Sequence, residues 1–162
     1  MDTIIRDVSD ADLDAVLSLN QSEVPHVGSV DLSRMHWFAA NASYFRVAMD
    51  DDRLAAFLIG LRPGTGYDSP NYLWFSERYD DFAYVDRIAV AEFARRGGLA
   101  SNLYEDYANA MPATVNTMTC EVNLHPPNES SMRFHERLGF HQVGSQLTEN
   151  GSKEVAMLAR NI

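Results

Sequence analysis

A chain of 162 residues, 46% hydrophobic and 22% charged, is the length of one compact domain and has no run near the ~20 apolar residues of a membrane span. Its 23 acids against 13 bases, a net charge of -10, argue against a nucleic-acid partner, whose affinity comes from Lys and Arg on phosphates; they suit a cationic partner or simply a well-solvated surface. One cysteine, Cys120, excludes an internal disulfide, and the acidic start MDTIIRDVSDADLDAV lacks the basic and apolar regions of a secretory signal, so a cytoplasmic protein is expected.

The opening TIIRDVS reads as a short strand, and Ser9 or Asp10 caps a helix carrying Leu13, Val16 and Leu17 on one face. After the breakers Pro25 and Gly28, a second helix is expected from near Asp31 to near Asn41. Two apolar runs around Asp50, Asp51 and Asp52 make a hairpin. The stretch GTGYDSPNYLWFSERYDD has no clean period and is expected to be a long surface excursion, with Tyr67, Tyr72, Trp74 and Phe75 among its acids. FAYVDRIAV is a strongly apolar strand; Leu99, Leu103, Tyr107 and Met111 then mark a helix face that Pro112 ends.

In TMTCEVNL, Met118, Cys120, Val122 and Leu124 point one way and Thr117, Thr119, Glu121 and Asn123 the other. Asn128 caps a helix through ESSMRFHERL that Gly139 stops, and Asn150-Gly151 turns a last hairpin. The order strand, two helices, strands, helix, strand, helix, two strands describes one mixed α/β domain, 1–162, with its parallel part around the last two helices.

The junction RRGG lies between an apolar strand and a helix. A helix start offers unpaired amides and a positive dipole end, glycine lets backbone approach a ligand, and arginine adds forked donors, so a diphosphate suits it. Neither the P-loop nor the dinucleotide fingerprint is present. A tight turn with solvated arginines is the plainer alternative.

RRGGLA resembles the R/Q-x-x-G-x-G/A loop of the GNAT superfamily, acetyl-CoA-dependent N-acetyltransferases, through Arg95, Gly98 and Ala100; NESSMRFHERLGF resembles a second family segment through Asn128, Ser131, Phe134, Leu138, Gly139 and Phe140. The likeness is sharp over residues 84–146 and loose before them. It implies an α/β (α+β) fold with a mostly antiparallel central sheet of about seven strands, splayed between the fourth and fifth, and about four helices on its two faces. It further implies acetyl-CoA as cosubstrate, with pantetheine along the backbone of Ile88, Ala89 and Val90 and near Asn128. The diphosphate would meet Arg95, Arg96, Gly97, Gly98, Leu99, Ala100 and Ser101.

The family's usual base is a carboxylate on the strand after the cofactor helix, which is where Glu121 falls; a solvent-facing strand acid is the alternative. Asp86, beside Arg87 in an apolar strand, is the rival base, or one half of a structural ion pair. Where the family has a tyrosine before LGF, this chain has His135, expected either to protonate the leaving thiolate or merely to pack, with Tyr84 and Tyr104 as other donors. H-E-x-x-H spacing fails at His135, Glu136 and His141, so no metal is expected, and Cys120 reads as core. The expected partner is a small-molecule or peptide amine, with no membrane and no nucleic acid; a homodimer is compatible with the sequence. The missing tyrosine raises one alternative, a non-catalytic acyl-CoA-binding module.

Overall fold

The computed structural model describes residues 2–162. Seven strands, β1 (Ile4–Asp7), β2 (Tyr44–Asp50), β3 (Arg53–Leu61), β4 (Ala83–Val90), β5 (Thr117–His125), β6 (His141–Thr148) and β7 (Lys153–Asn161), are bonded in the order β1-β2-β3-β4-β5-β7-β6. Five α-helices accompany them: α1 (Leu13–Ser22), α2 (Leu32–Asn41), α3 (Pro70–Ser76), α4 (Leu99–Ala110) and α5 (Glu129–Arg137). Contacts divide the chain into two compact units, one running to Leu61 and again over Val85–Ala110, the other Arg62–Tyr84 with Met111–Ile162.

In the first unit β1, β2 and β3 are antiparallel, with Ile4 opposite Met49 and Tyr44 opposite Gly60. α2 starts near Asp31 as expected, and Asp31 caps it by accepting from the Arg34 amide at 2.8 Å. Gly60 is required by packing rather than by a turn: a Cβ there would lie 2.3 Å from the Tyr107 ring on α4. Tyr107 in turn stacks on Tyr44 with centroids 4.7 Å apart. The Tyr44 hydroxyl and Arg46 both donate to Asp106 at 2.7 Å, tying α4 to β2.

In the second unit β5, β7 and β6 are antiparallel, with Cys120 and Gln142 both opposite Leu158. The parallel pairing of β4 with β5 is confined to Ala83 with Met118 and Tyr84 with Thr119. Asn150 (φ 57°) and Gly151 (φ 85°) take the left-handed conformations that the β6–β7 hairpin needs. Gly139 (φ 94°) ends α5 in the same way.

Two expectations need correction here. The aromatic stretch is not wholly an excursion: Pro70 opens α3 at its first turn, and the Ser69 hydroxyl accepts from the Tyr72 amide at 3.4 Å. It buries Tyr72 and Phe75 with Phe82 and Tyr84, and Trp74 fills the space over Gly144, where a Cβ would lie 2.5 Å from its ring. Thr119, expected on a polar face, is buried, because its strand partner Tyr84 belongs to this aromatic core.

Candidate functional site

In the first unit, β4 ends at Val90, a 3₁₀ turn follows at Glu92–Ala94, and the chain then passes through Arg95, Arg96, Gly97 and Gly98 into α4. Two of those residues, Arg96 (φ 69°) and Gly98 (φ 79°), are left-handed. This is free for glycine and strained for arginine. The first bond of α4 runs from the Asn102 amide to the Gly98 carbonyl at 3.0 Å. The amides before it, through Ser101, lie in the turn that helix geometry leaves without an intrahelical partner. No acid occupies that first turn, so the dipole end is not neutralised.

A cleft of ≈ 200 Å³ opens beside this loop, lined by Phe93, Arg95, Arg96, Gly97, Leu99 and Asn102 among others. A methyl group at Gly98 would meet no protein atom within 4 Å, so the backbone there is open to a ligand. Loop, amides and cleft suit a diphosphate.

The two arginines are not equivalent. Arg95 is ion-paired through Nη2 with Glu23 at the C-terminal end of α1, and its Nε donates to the Val90 carbonyl at 3.3 Å. The Val90 carbonyl, expected to pair with pantetheine, therefore already has a donor. Ile88 and Ala89 precede it on β4, and Ala89 is buried.

Asp86 and Arg87 form an ion pair at 2.7 Å with side chains only 4% and 9% exposed. Arg87 also donates to the Asn20 side chain and the Gly28 carbonyl, each at 3.0 Å, and its guanidinium lies 5.2 Å from the centre of the Phe38 ring. Asn20 itself is fully buried and donates to the same carbonyl at 3.2 Å. Asp86 thus neutralises a buried arginine that fastens the segment between α1 and α2.

In the second unit the fully buried Tyr84 donates its hydroxyl to Glu121 Oε2 at 2.8 Å. Glu121 is half-buried on β5, while Cys120 beside it faces the core. Burial, and secondarily the Glu121 carboxylate, pushes the Cys120 thiol well up, so it stays protonated. Asn128 caps α5 by accepting from the Ser131 amide at 3.3 Å.

His135 lies buried on α5 between the Phe134 and Phe140 rings. Its Nδ1 is 2.7 Å from the Ser131 carbonyl, which can only accept, so Nδ1 carries the hydrogen. Burial lowers its pKa, outweighing the rise from that bond, and the ring is neutral at pH 7. The structure joins Glu121 to Tyr84 and Asp86 to Arg87, whereas the His135 Nδ1 bond stays within its own helix. Among the described residues no group of three or more His, Cys, Asp and Glu side chains could hold a metal, and no helix is long and apolar enough to cross a membrane.

Sequence reasoning missed Tyr84 as the partner of Glu121 and Glu23 as the partner of Arg95, and no local pattern announces either. Phe93, also missed, stands two residues before the motif and could have been found by reading the loop further back.

A family model described as the acetyltransferase (GNAT) family matches residues 13–140. Ard1 from Thermoplasma volcanium is similar with a TM-score of 0.79 and 17% identity, over 100% of this chain and 99% of that one. The ribosomal-protein-S18-alanine N-acetyltransferase from Escherichia coli gives 0.72 and 18% over 99% and 94%. NAA60 from Arabidopsis thaliana, in complex with acetyl-CoA, gives 0.77 and 17% over 99% and 100%. At these identities the likeness carries the fold. Comparison with curated proteins found no match.

Proposed function

The chain belongs to the acetyltransferase (GNAT) family and is an acyltransferase with acetyl-CoA as donor; from its site we propose that it acetylates a primary amine of a small molecule or a peptide by direct attack, with Glu121 as base. We read both compact units as parts of one acetyltransferase domain, 1–162. The observation that carries the reading is the loop from Arg95 to Ser101: two left-handed residues, a helix start without an acid and an open cleft beside two arginines. In this reading residues 95–101 hold the diphosphate, and Ile88, Ala89 and Val90 of the same unit hold the pantetheine arm. Bound there, the thioester supplies an acyl group with a good leaving group.

An ammonium acceptor first loses one proton to water, because only the neutral nitrogen attacks. As the N–C bond forms, Glu121 takes the second proton; as the C–S bond breaks, it returns that proton to the departing sulfur. Tyr84 is the positioning residue, its hydroxyl orienting the carboxylate at 2.8 Å. His135 is a poor candidate donor, since it is neutral and its one protonated nitrogen is bound to Ser131. The protonated, buried Cys120 likewise favours direct attack over an acyl-enzyme.

The test is thiol release from acetyl-CoA with a panel of small primary amines and a panel of peptides with free N-termini. Amine-dependent release is expected, and the panel that responds identifies the acceptor class. Tight acetyl-CoA binding with no release across both panels would instead leave the acyl-CoA-binding module.

A further inference from the structure

Phe93 sits on the 3₁₀ turn between β4 and the loop arginines and is 39% exposed. The sheet fixes its place: the Ala91 amide donates to the Ala55 carbonyl at 2.8 Å. Two residues further on from Ala91 stands Phe93, and two before Ala55 stands Arg53. The Arg53 guanidinium lies over the Phe93 ring, 3.4 Å from its centroid. The same ring lines the ≈ 200 Å³ cleft together with Arg95, Arg96, Gly97 and Asn102.

An aromatic platform and an anion-binding loop in one cleft ask for a ligand that joins a flat ring to a phosphate through a short linker. A nucleotide has that chemistry: its base stacks on an aromatic face while its phosphates meet arginines and amides. Charge agrees, because three arginines gather here in a chain of net charge -10. Arg53 holds the ring from one side by a cation–π contact.

We propose that Phe93, backed by Arg53, is the stacking platform for the adenine ring of the acyl donor, and so the residue that distinguishes the whole cofactor from its phosphopantetheine portion. This rests on reading residues 95–101 as the diphosphate cradle. A base stacked on an aromatic side chain is worth about 5- to 150-fold in affinity by alanine substitution.

The experiment is calorimetric titration of wild type, Phe93→Ala and Phe93→Tyr with two ligands, acetyl-CoA and acetyl-4′-phosphopantetheine, which lacks the whole 3′-phospho-AMP portion, adenine included. Melting curves without ligand check that the variants fold. Phe93→Ala is expected to weaken acetyl-CoA by about 5- to 150-fold and to leave the truncated ligand unchanged, while Phe93→Tyr, which keeps the platform, behaves as wild type. Unchanged acetyl-CoA affinity in Phe93→Ala overturns the platform and leaves the cradle standing. Equal losses for both ligands overturn it too, since the turn itself would then be damaged. Wild type that binds neither ligand removes the cradle and the platform together.

Discussion

Gly98→Ala separates what the loop does for the fold from what it does for the ligand. Gly98 has φ 79°, and a Cβ there meets nothing within 4 Å, so alanine brings backbone strain but no clash within the protein. The strain is about 1–2 kcal/mol, which for a chain of this length lowers Tm by about 2–8 °C. Gly64→Ala is the control, because Gly64 has φ 85° and equally open surroundings but is not among the residues that line the cleft. It should lose the same stability. Only Gly98→Ala should lose acetyl-CoA affinity, since its methyl group fills the space where an oxyanion approaches the amides of α4. Forfeiting one hydrogen bond to a charged group costs about 1.5–3 kcal/mol, or about 10- to 150-fold in Kd. Calorimetric titration with acetyl-CoA beside thermal melts reads both quantities. If Gly98→Ala binds acetyl-CoA as tightly as Gly64→Ala does, the loop is not the cradle.

Glu121→Gln should lower kcat by about 10²- to 10⁴-fold while acetyl-CoA binding is kept; an unchanged rate would pass the role to Asp86 or to water. Asp86→Asn leaves the buried Arg87 uncompensated, so a loss of about 3–5 kcal/mol should appear as a large drop in Tm; wild-type melting with lost turnover would make Asp86 the base. His135 has a folded pKa below its unfolded value, so the stability it leaves intact above about pH 6.5 is lost as pH falls from there through the folded pKa. His135→Phe should flatten that acid-side decline in denaturant titrations, and an unaltered decline would show that the ring is not kept neutral. Glu23→Gln releases Arg95 from an ion pair whose Arg95 side chain is half exposed, so acetyl-CoA affinity should rise by up to about fivefold and the gain should fade in high salt; unchanged affinity at low salt would remove Glu23 as a competitor.

Features set by short stretches of chain were legible in the sequence. The start of α2 near Asp31, the cap at Asn128, the stop at Gly139 and the Asn150-Gly151 turn each follow from one residue's own backbone or side-chain preference. The strand–RRGG–helix junction was legible for the same reason, since its parts are contiguous. α3 was not, because seven residues opened by proline and crowded with aromatics show no amphipathic period; packing of Tyr72, Phe75 and Trp74 makes the helix. The burial of Thr119 and the bond from Tyr84 to Glu121 escaped the sequence too, since both depend on a parallel pairing only two residues long across 35 positions.

The motif draws attention to Arg95, but if the loop holds the diphosphate as proposed, the geometry favours Arg96 as the arginine that meets it. Arg95 is occupied by Glu23, 72 positions away, and by the Val90 carbonyl, so its charge is partly spent on holding the loop to α1. Arg96 is exposed and sits at φ 69°. That conformation costs a non-glycine residue about 1–3 kcal/mol, and a glycine would adopt it freely. Arg96 lines the cleft, and in the reading proposed above its delocalised charge would meet a phosphate there. In that reading the loop divides its labour, with Arg95 as the strut and Arg96 as the hand. A reading of the sequence that counts two adjacent arginines as one basic patch misses this division, because it depends on a carboxylate from another helix.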